Sequence, residues 1–433
     1  MKWHKNIKKL VYSPGIRAAG IYTFSNFFAK ATGFLLLFLY SNPKYISVDE
    51  NGLLSLLNSS VYILMPFLSL GIIQSTSTDY FKLDKKDFRD FFTSSFVMPA
   101  ATMLLAAGVL YFFKEKIKLH FGLPFSFVWM IPVLAFLNFC YEQYIALIRN
   151  RDEPVRFLKS SMLRLFLEIG ISVTLVVAVN WRWQGRVAGI LVANGVLLII
   201  ALVYFSRNDF TGGKVKKKYL RQELIYAVPI IAMQASTFCL AYSDKFFLSF
   251  FSDNIAVGIY AYACVFSSLV SVACSALISY VMPKVYAALA KKETDYAAIK
   301  RYFKFYLVGC GLAWLGVIVS TPLLYRLFIN QHYYPGLSYF YLIATGYLLW
   351  SITYFFYLFF LFNKQKKVIL LLSIVAALVS LANNYFFIMN GGAFGAAISV
   401  CCSYLLVLII TLVISRQRLK ALFSTSKRYI IPE

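Results

Sequence analysis

The sequence has 433 residues, of which 60% are hydrophobic and only 14% are charged. Soluble domains contain about 45–50% apolar and about 25% charged residues, so this composition excludes a soluble globular protein and indicates an integral membrane protein. The formal net charge of +25 would suggest nucleic-acid binding in a soluble chain, but in a membrane protein it first needs a topological explanation.

In chain order, the sequence opens with a basic lead-in, 1–15, which is expected to lie on the membrane surface as an amphipathic segment. Six apolar segments follow and form an N-lobe, 16–206, with the segments at 16–40, 53–75, 92–113, 126–148, 162–180 and 187–206. A basic linker, 207–224, leads to a C-lobe, 225–415, with segments at 225–248, 256–282, 305–325, 336–362, 368–389 and 393–415. A basic tail, 416–433, ends the chain.

These segments predict an all-α protein with twelve transmembrane helices. About 20 apolar residues span the hydrocarbon core as a helix, and only helices and closed barrels satisfy the backbone in lipid. If the N-terminus is cytoplasmic, 33 of the 43 Lys and Arg residues fall in cytoplasmic segments, seven in outer segments and three within helices. The positive-inside rule therefore predicts that both termini are cytoplasmic. The basic excess then reflects orientation and contact with anionic lipid headgroups rather than nucleic acid.

Two pairs of glycines indicate an internal repeat. Gly52 and Gly258 open the second and eighth segments, and Gly189 and Gly395 open the sixth and twelfth, with the same spacing of 206 residues in both pairs. Six helices per lobe make the lobes parallel repeats, as in transporters whose halves are related by an axis along the membrane normal. The alternative is coincidence, because Gly is frequent in membrane helices.

Motifs for enzymatic chemistry are absent from the sequence. There is no P-loop and no Ser/His/Asp set. The three histidines lie far apart, and the seven cysteines fall in apolar segments without a CxxC pair, which predicts neither a metal site nor a disulfide framework. We therefore expect a transporter without a cofactor rather than an enzyme.

The chain resembles the polysaccharide exporters of the multidrug/oligosaccharidyl-lipid/polysaccharide superfamily (the Wzx-type O-antigen or oligosaccharide flippases, which share the MATE-like fold). The residues that carry the resemblance are Glu50-Asn51-Gly52-Leu53, Leu70-Gly71-Ile72, Pro229, Asp244-Lys245-Phe246-Phe247, Val257-Gly258-Ile259-Tyr260, Pro283-Lys284-Val285-Tyr286 and Gly395-Ala396-Ala397-Ile398. The family usually has Arg after the Asp of the seventh helix, where this chain has Lys245.

The resemblance implies a flippase that moves an undecaprenyl-pyrophosphate-linked oligosaccharide across the bacterial inner membrane by alternating access between the two lobes. The implied partners are this lipid-linked substrate, anionic lipids and other polysaccharide-assembly proteins. Three alternatives remain at this stage: a drug/cation antiporter of the same superfamily, a membrane polysaccharide polymerase, and a non-transporting assembly scaffold.

Charged side chains inside the predicted helices are the candidate site residues, because each costs about 2.5–3.5 kcal/mol at the bilayer centre on insertion scales. Lys30 is the deepest and shares a polar helical stripe with Asn26. We expect Lys30 to contact the pyrophosphate; a structural pair with Glu142 is the alternative. Arg17, at the predicted cytoplasmic mouth, is expected to meet the anionic head of the substrate or a lipid headgroup.

The remaining candidates are the three helix carboxylates, expected to serve ion coupling or structural pairing: Glu142, Glu168 and Asp244. Arg164 and Glu168 are four residues apart, which favours a structural pair on one helix. Asp244 and Lys245 follow Gln234 towards the outer end of the seventh helix. They are expected either to line the substrate cavity or to extend to the membrane interface.

Overall fold

The computed structural model describes residues 21, 33–34, 36–291 and 294–416, with only the backbone described at 225, 226, 228 and 229. Every long regular element in this part of the chain is a helix. The helices up to the linker are α1 (Val48–Ser69), α2 (Ile72–Asp79), α3 (Lys85–Ser95), α4 (Val97–Phe112), α5 (Lys114–Phe121), α6 (Phe127–Asn150), α7 (Pro154–Val173) and α8 (Arg182–Arg207). A π-helical turn, Thr174–Ala178, continues α7.

The second half of the described chain contains five long helices: α9 (Lys217–Phe251), α10 (Asn254–Leu289), α11 (Tyr296–Phe328), α12 (Gly336–Phe362) and α13 (Lys366–Ile414). A short 3-10 turn, Gln331–Tyr333, precedes α12. Several of these helices begin with a side-chain cap. The Asp253 carboxylate accepts a hydrogen bond from the backbone N–H of Ala256 at 2.7 Å, and Asp295 caps α11 through the N–H of Ala298 at 2.9 Å.

The structure confirms an all-helical, multi-pass membrane fold. Nine helices among the described residues are long and apolar enough to cross a membrane. One of them, α13, has 49 residues and covers both segments predicted at 368–389 and 393–415. In addition, α9 covers the segment predicted at 225–248. The first predicted segment, 16–40, falls mostly outside the described residues.

Two helix breaks are set by local backbone conformation. The segment predicted at 53–75 is divided, contrary to expectation, because Leu70 and Gly71 both adopt left-handed backbone conformations, with φ of 50° and 71°. The predicted break between 368–389 and 393–415 is confirmed, because α13 consists of two helices joined at Gly392, whose backbone is non-helical with a φ of 51°. Gly adopts positive φ without the steric cost that other residues meet, so the chain bends here.

The chain forms two compact units. The first contains the described residues up to Glu50 together with Leu57–Ile231, and the second contains Asn51–Leu56 and Ala232 onward. The boundary between Ile231 and Ala232 lies within α9 rather than in the basic loop before it. An aromatic cluster forms one core of the first unit, where Phe92 packs edge-on against Phe205 with ring centroids 5.0 Å apart.

Part of the predicted linker, Thr211–Lys216 (the linker strap), is fixed against α3. Asp90 receives the backbone N–H of Lys214 and the ammonium group of Lys216, both at 2.7 Å. Backbone N–H groups of Gly213 and Lys216 bond to Thr93 and Ser94, each at 3.0 Å. The hydrogen bond to Asp90, followed by the one to Asp87, raises the pKa of Lys216. These contacts fix the strap to α3, so it is an ordered part of the first unit.

The repeat-related glycines occupy positions of close backbone approach. A Cβ atom at Gly52 would lie 1.9 Å from the carbonyl oxygen of Asn254 and 3.2 Å from the nitrogen of Gly258, within the second unit. A Cβ at Gly189 would lie 2.1 Å from the Ser172 hydroxyl, and one at Gly395 would lie 1.9 Å from the Phe387 carbonyl oxygen. Both latter glycines thus bring the last helix of a predicted lobe against the segment preceding it.

Candidate functional site

The most enclosed carboxylate among the predicted site residues is Asp244, on α9. Its side chain is 4% exposed, and one oxygen accepts a hydrogen bond from the Tyr260 hydroxyl of α10 at 2.5 Å. The other oxygen accepts the backbone N–H of Lys245 at 2.9 Å. Asp244 is therefore enclosed by protein. Its hydrogen-bond partners are neutral groups, and within the described part of the chain no cation forms an ion pair with this carboxylate.

Beside Asp244, a chain of neutral polar groups crosses the second unit. The Asn384 amide donates to the Ser243 hydroxyl at 2.9 Å and accepts from the Ser399 hydroxyl at 2.5 Å. Nearby on α13, the amide of Asn383 donates to Ser403 at 3.0 Å. These groups join α9 to both halves of α13, because Asn384 and Ser399 lie on opposite sides of the Gly392 kink. We call Ser243, Asp244, Tyr260, Asn384 and Ser399 the acidic cluster.

Lys245 and Gln234 lie on another face of α9. Eleven residues separate them, which is close to three turns of a helix with 3.6 residues per turn, so they share one stripe. Both are half-buried, and the Lys245 ammonium lies 5.4 Å from the centre of the Tyr242 ring. Asp244 is rotated about 100° from Lys245 and points into the second unit instead. The predicted Asp-Lys pair thus presents its two charges in different directions.

In the first unit, Glu168 is paired with a residue that sequence analysis assigned to an outer loop. The guanidinium of Arg186, one turn into α8, lies 2.6 Å from a Glu168 oxygen. The same guanidinium donates to the Ser172 hydroxyl at 3.1 Å. The two side chains are only 14% and 17% exposed. Glu168 is therefore held in a largely buried ion pair between α7 and α8.

The predicted ion pair between Arg164 and Glu168 is wrong. Arg164 donates to the Asn138 side chain of α6 at 2.9 Å, and its guanidinium lies 4.6 Å from the centre of the Tyr141 ring. Spacing along one helix makes an i, i+4 pair possible, but each residue has a partner on another helix. Asn138 of α6 bonds to Arg164, and Arg186 of α8 pairs with Glu168. Arg164 thus satisfies its donors with a neutral amide and an aromatic face.

Glu142, on α6, is the least enclosed of the three carboxylates. Among the described residues it forms an ion pair only with Arg149, at 3.9 Å, and the two side chains are 43% and 52% exposed. An exposed pair at this distance contributes little to stability. The other predicted substrate contacts, Arg17, Asn26 and Lys30, lie outside the described residues, so their roles and the alternative Lys30–Glu142 pair stay predictions.

Several polar residues of these clusters were not selected from the sequence. Asn383 and Asn384 form an Asn-Asn pair in the middle of a predicted transmembrane segment, which is a detectable signal because polar residues in such segments are usually functional or hydrogen-bonded. Tyr260 belongs to the Val257-Gly258-Ile259-Tyr260 motif, although it was not among the candidate site residues, and Ser399 carries no comparable signal, because single Ser residues are common in this chain's helices.

Comparison with known proteins shows where this chain belongs among them. Residues 16–285 match the family described as polysaccharide biosynthesis protein. A protein of Haemophilus influenzae described as Lsg locus putative protein 1 is 26% identical over 183 residues. That alignment covers 39% of this chain and 45% of the Haemophilus protein, so the chain matches less than half the length of this relative.

Two solved structures share the fold over almost the whole chain. A lipid II flippase, MurJ, in an inward closed conformation superimposes with a TM-score of 0.74 at 14% identity, covering 91% of this chain and 87% of that one. An inward-facing multidrug resistance MATE family transporter of the MOP superfamily superimposes with a TM-score of 0.70, also at 14% identity, covering 90% and 96%. At this identity the likeness concerns the fold alone.

Proposed function

Since the chain belongs to the polysaccharide biosynthesis protein family, whose description matches residues 16–285, we propose that it is a flippase for an undecaprenyl-pyrophosphate-linked oligosaccharide in the bacterial inner membrane. The family match is the observation that carries this proposal. The fold supports it, because both superimposed structures are membrane transporters and one is named as a flippase of a lipid-linked molecule. We accordingly propose a transport role and no enzymatic step.

The chemistry of the substrate suggests a role for the predicted cations. A pyrophosphate head carries negative charge, and ammonium or guanidinium groups recognise phosphate through charge-assisted hydrogen bonds. Lys30, Arg17 and Asn26 are proposed to contact the head group. Lys245 and Gln234, which share a stripe of α9, are proposed as further contacts with the substrate. The partners remain the lipid-linked oligosaccharide and anionic lipid headgroups, with other polysaccharide-assembly proteins as further partners.

The acidic cluster is proposed to supply ion coupling. Asp244 is buried and bonded to a hydroxyl and a backbone N–H, so its charge is available for a small cation or a proton. Asn384 and Ser399 add neutral oxygen atoms. Such atoms can bind Na⁺ or accept a hydrogen bond from a protonated carboxyl group. An Asp244→Asn variant keeps the shape and removes the charge. We expect it to fold but to lose the response of transport to an ion gradient, whereas Asp209→Asn, at an exposed loop residue, should keep that response.

The experiment that tests the proposed function starts from a strain that lacks the gene. Undecaprenyl-linked intermediates are extracted and analysed by mass spectrometry, with a plasmid copy as the complementing control. A flippase predicts accumulation of a glycan-bearing lipid on the cytoplasmic face, reversed by the plasmid, and the mass identifies the glycan. Unchanged lipid levels would contradict the proposal.

A second candidate function has its own support. The MATE transporter superimposes over 96% of its chain, so a drug/cation antiporter fits the same fold. This alternative predicts unchanged undecaprenyl lipids and increased drug susceptibility in the deletion strain. A polymerase instead predicts single repeat units that accumulate on the outer face. The same extraction therefore separates all three functions.

A further inference from the structure

Glu223, near the start of α9, is an unpaired carboxyl group in the interior of the protein. Its side chain is 3% exposed, and among the described residues neither of its oxygens has a hydrogen-bond partner. An ionised carboxylate removed from water without a partner is strongly unfavourable, so such groups are paired or neutral. Glu223 also plays no part in the flippase sites proposed above.

A second carboxyl group influences Glu223 through its charge. Asp79, the last residue of α2, is half-buried, and its charge acts on Glu223. Both residues belong to the first unit. Glu223 therefore meets a like charge instead of a cation that would neutralise it.

The neighbouring charged groups do not neutralise Glu223. Lys82 acts on Asp79 from the loop that follows α2. On α3, Asp87 and Asp90 are occupied by Lys216, at 3.3 Å and 2.7 Å. Within the described residues, no Lys, Arg or His therefore forms an ion pair with Glu223.

We propose that Glu223 and Asp79 form a proton-binding site in the first unit, in which one proton is held on the Glu223 carboxyl group. Adding a proton converts a Glu223 oxygen from an acceptor into an O–H donor and removes one of two repelling charges. Asp79 acts on this proton through its charge, because no hydrogen bond joins the two carboxyl groups in the described structure. Releasing the proton restores both negative charges, which favours a rearrangement that opens the pair to water or to a cation.

A proton fits this site better than a metal ion. A divalent cation is usually bound by three or more protein ligands, and the described residues contain no group of three or more His, Cys, Asp or Glu side chains arranged to hold one. A proton needs only one carboxylate and an acceptor. The use of this proton to drive transport rests on the proposed flippase function; the binding of the proton does not.

Infrared difference spectroscopy of the purified full-length protein in lipid nanodiscs tests the proposal directly. A neutral carboxyl group has a C=O stretch separate from the amide bands, and a pH titration follows its loss. We expect wild type to show such a band at neutral pH and Glu223→Gln to lose part of its intensity, with any remainder from Asp244 absent in the double variant Glu223→Gln, Asp244→Asn. The matched control Glu115→Gln, at an exposed glutamate of α5, should keep the band.

Asp79→Asn provides a test that does not depend on the Glu223 variant folding. Removing the neighbouring negative charge favours ionisation of Glu223, so the band should disappear at a lower pH than in wild type. A band of unchanged intensity in Glu223→Gln, or an unchanged titration in Asp79→Asn, overturns the proposal. Loss of the band on adding NaCl at constant pH would also overturn it, because Na⁺ would then be the occupant.

Transport measurements separate this inference from the proposed function. If wild type flips a lipid-linked oligosaccharide in proteoliposomes, Glu223→Gln should abolish its stimulation by a pH gradient, and retained stimulation would remove the coupling role. If wild type does not flip the lipid but the infrared band behaves as expected, the proton site stands and the proposed function fails.

Discussion

The Arg186–Glu168 ion pair allows a quantitative test of whether Glu168 is structural. In an Arg186→Ala variant, Glu168 keeps its charge but loses its only close cation among the described residues, 2.6 Å away. Breaking a buried ion pair by removing one partner costs about 3–5 kcal/mol. Because both side chains retain some exposure, at 14% and 17%, we expect the lower end, about 3 kcal/mol, after solvent screening.

The companion variants separate the pair from the individual residues. Glu168→Gln leaves an amide that still accepts a hydrogen bond from Arg186, so we expect a loss of about 1 kcal/mol. Combining Arg186→Met with Glu168→Leu removes both charges together, and replacing a buried ion pair by apolar residues of similar volume is often close to neutral. The double variant should therefore be more stable than Arg186→Ala alone.

A thiol-reactive dye provides the assay during a thermal ramp in detergent. The chain contains buried free cysteines, including Cys140, Cys274 and Cys310, which react only when the fold opens. Arg186→Ala should unfold at a clearly lower temperature than wild type. If the double variant is no more stable than Arg186→Ala, or if neither single variant changes the unfolding temperature, the structural role assigned to this pair is refuted.

Three further predictions use matched controls. Lys30→Ala should abolish export while the protein is still produced normally. The control Lys44→Ala, at an exposed loop residue, should export like wild type. Full export by Lys30→Ala would exclude a role of Lys30 in binding phosphate. Asp90→Asn should release the linker strap and speed its cleavage by trypsin, and an unchanged cleavage rate would contradict that fixation. Gly189→Ala should destabilise the protein by about 1–3 kcal/mol in thermal unfolding, because the added methyl group overpacks the site. Gly195→Ala on the same helix has open space around the new methyl group, so it should be neutral or stabilising by up to about 1 kcal/mol.

The helices themselves were largely predictable because long apolar segments in lipid have few alternatives. The segment at 336–362 coincides with α12, Gly336–Phe362. Errors occur where a local backbone conformation decides the outcome. Leu70 has positive φ, which is uncommon for a bulky residue, so nothing in the apolar pattern indicated that α1 would end there. The helix α5, Lys114–Phe121, was taken as part of a loop because charged residues interrupt its apolar ones.

The partners of charged residues were harder to predict than the helices. Arg186 was counted with the outer loop because the charge pattern along the sequence contains no information about neighbours on other helices. In the structure it lies in α8 and reaches Glu168 on α7, eighteen residues away along the chain. Arg164 likewise bonds across to Asn138 rather than along its own helix. Periodicity indicates which face a residue occupies, but only tertiary packing determines what that face contacts.

Adjacent residues on α9 illustrate how the fold places one motif in two separate environments. The Asp-Lys pair was predicted as a unit, yet successive residues on a helix point about 100° apart. Asp244 is enclosed by Tyr260 and its own backbone, while Lys245 is half-buried beside Tyr242. A buried carboxylate responds to protons and small cations, whereas a more accessible ammonium group can meet a large anion. Substitutions at 244 should therefore alter ion dependence, and substitutions at 245 should alter substrate affinity, even though the two residues share a peptide bond.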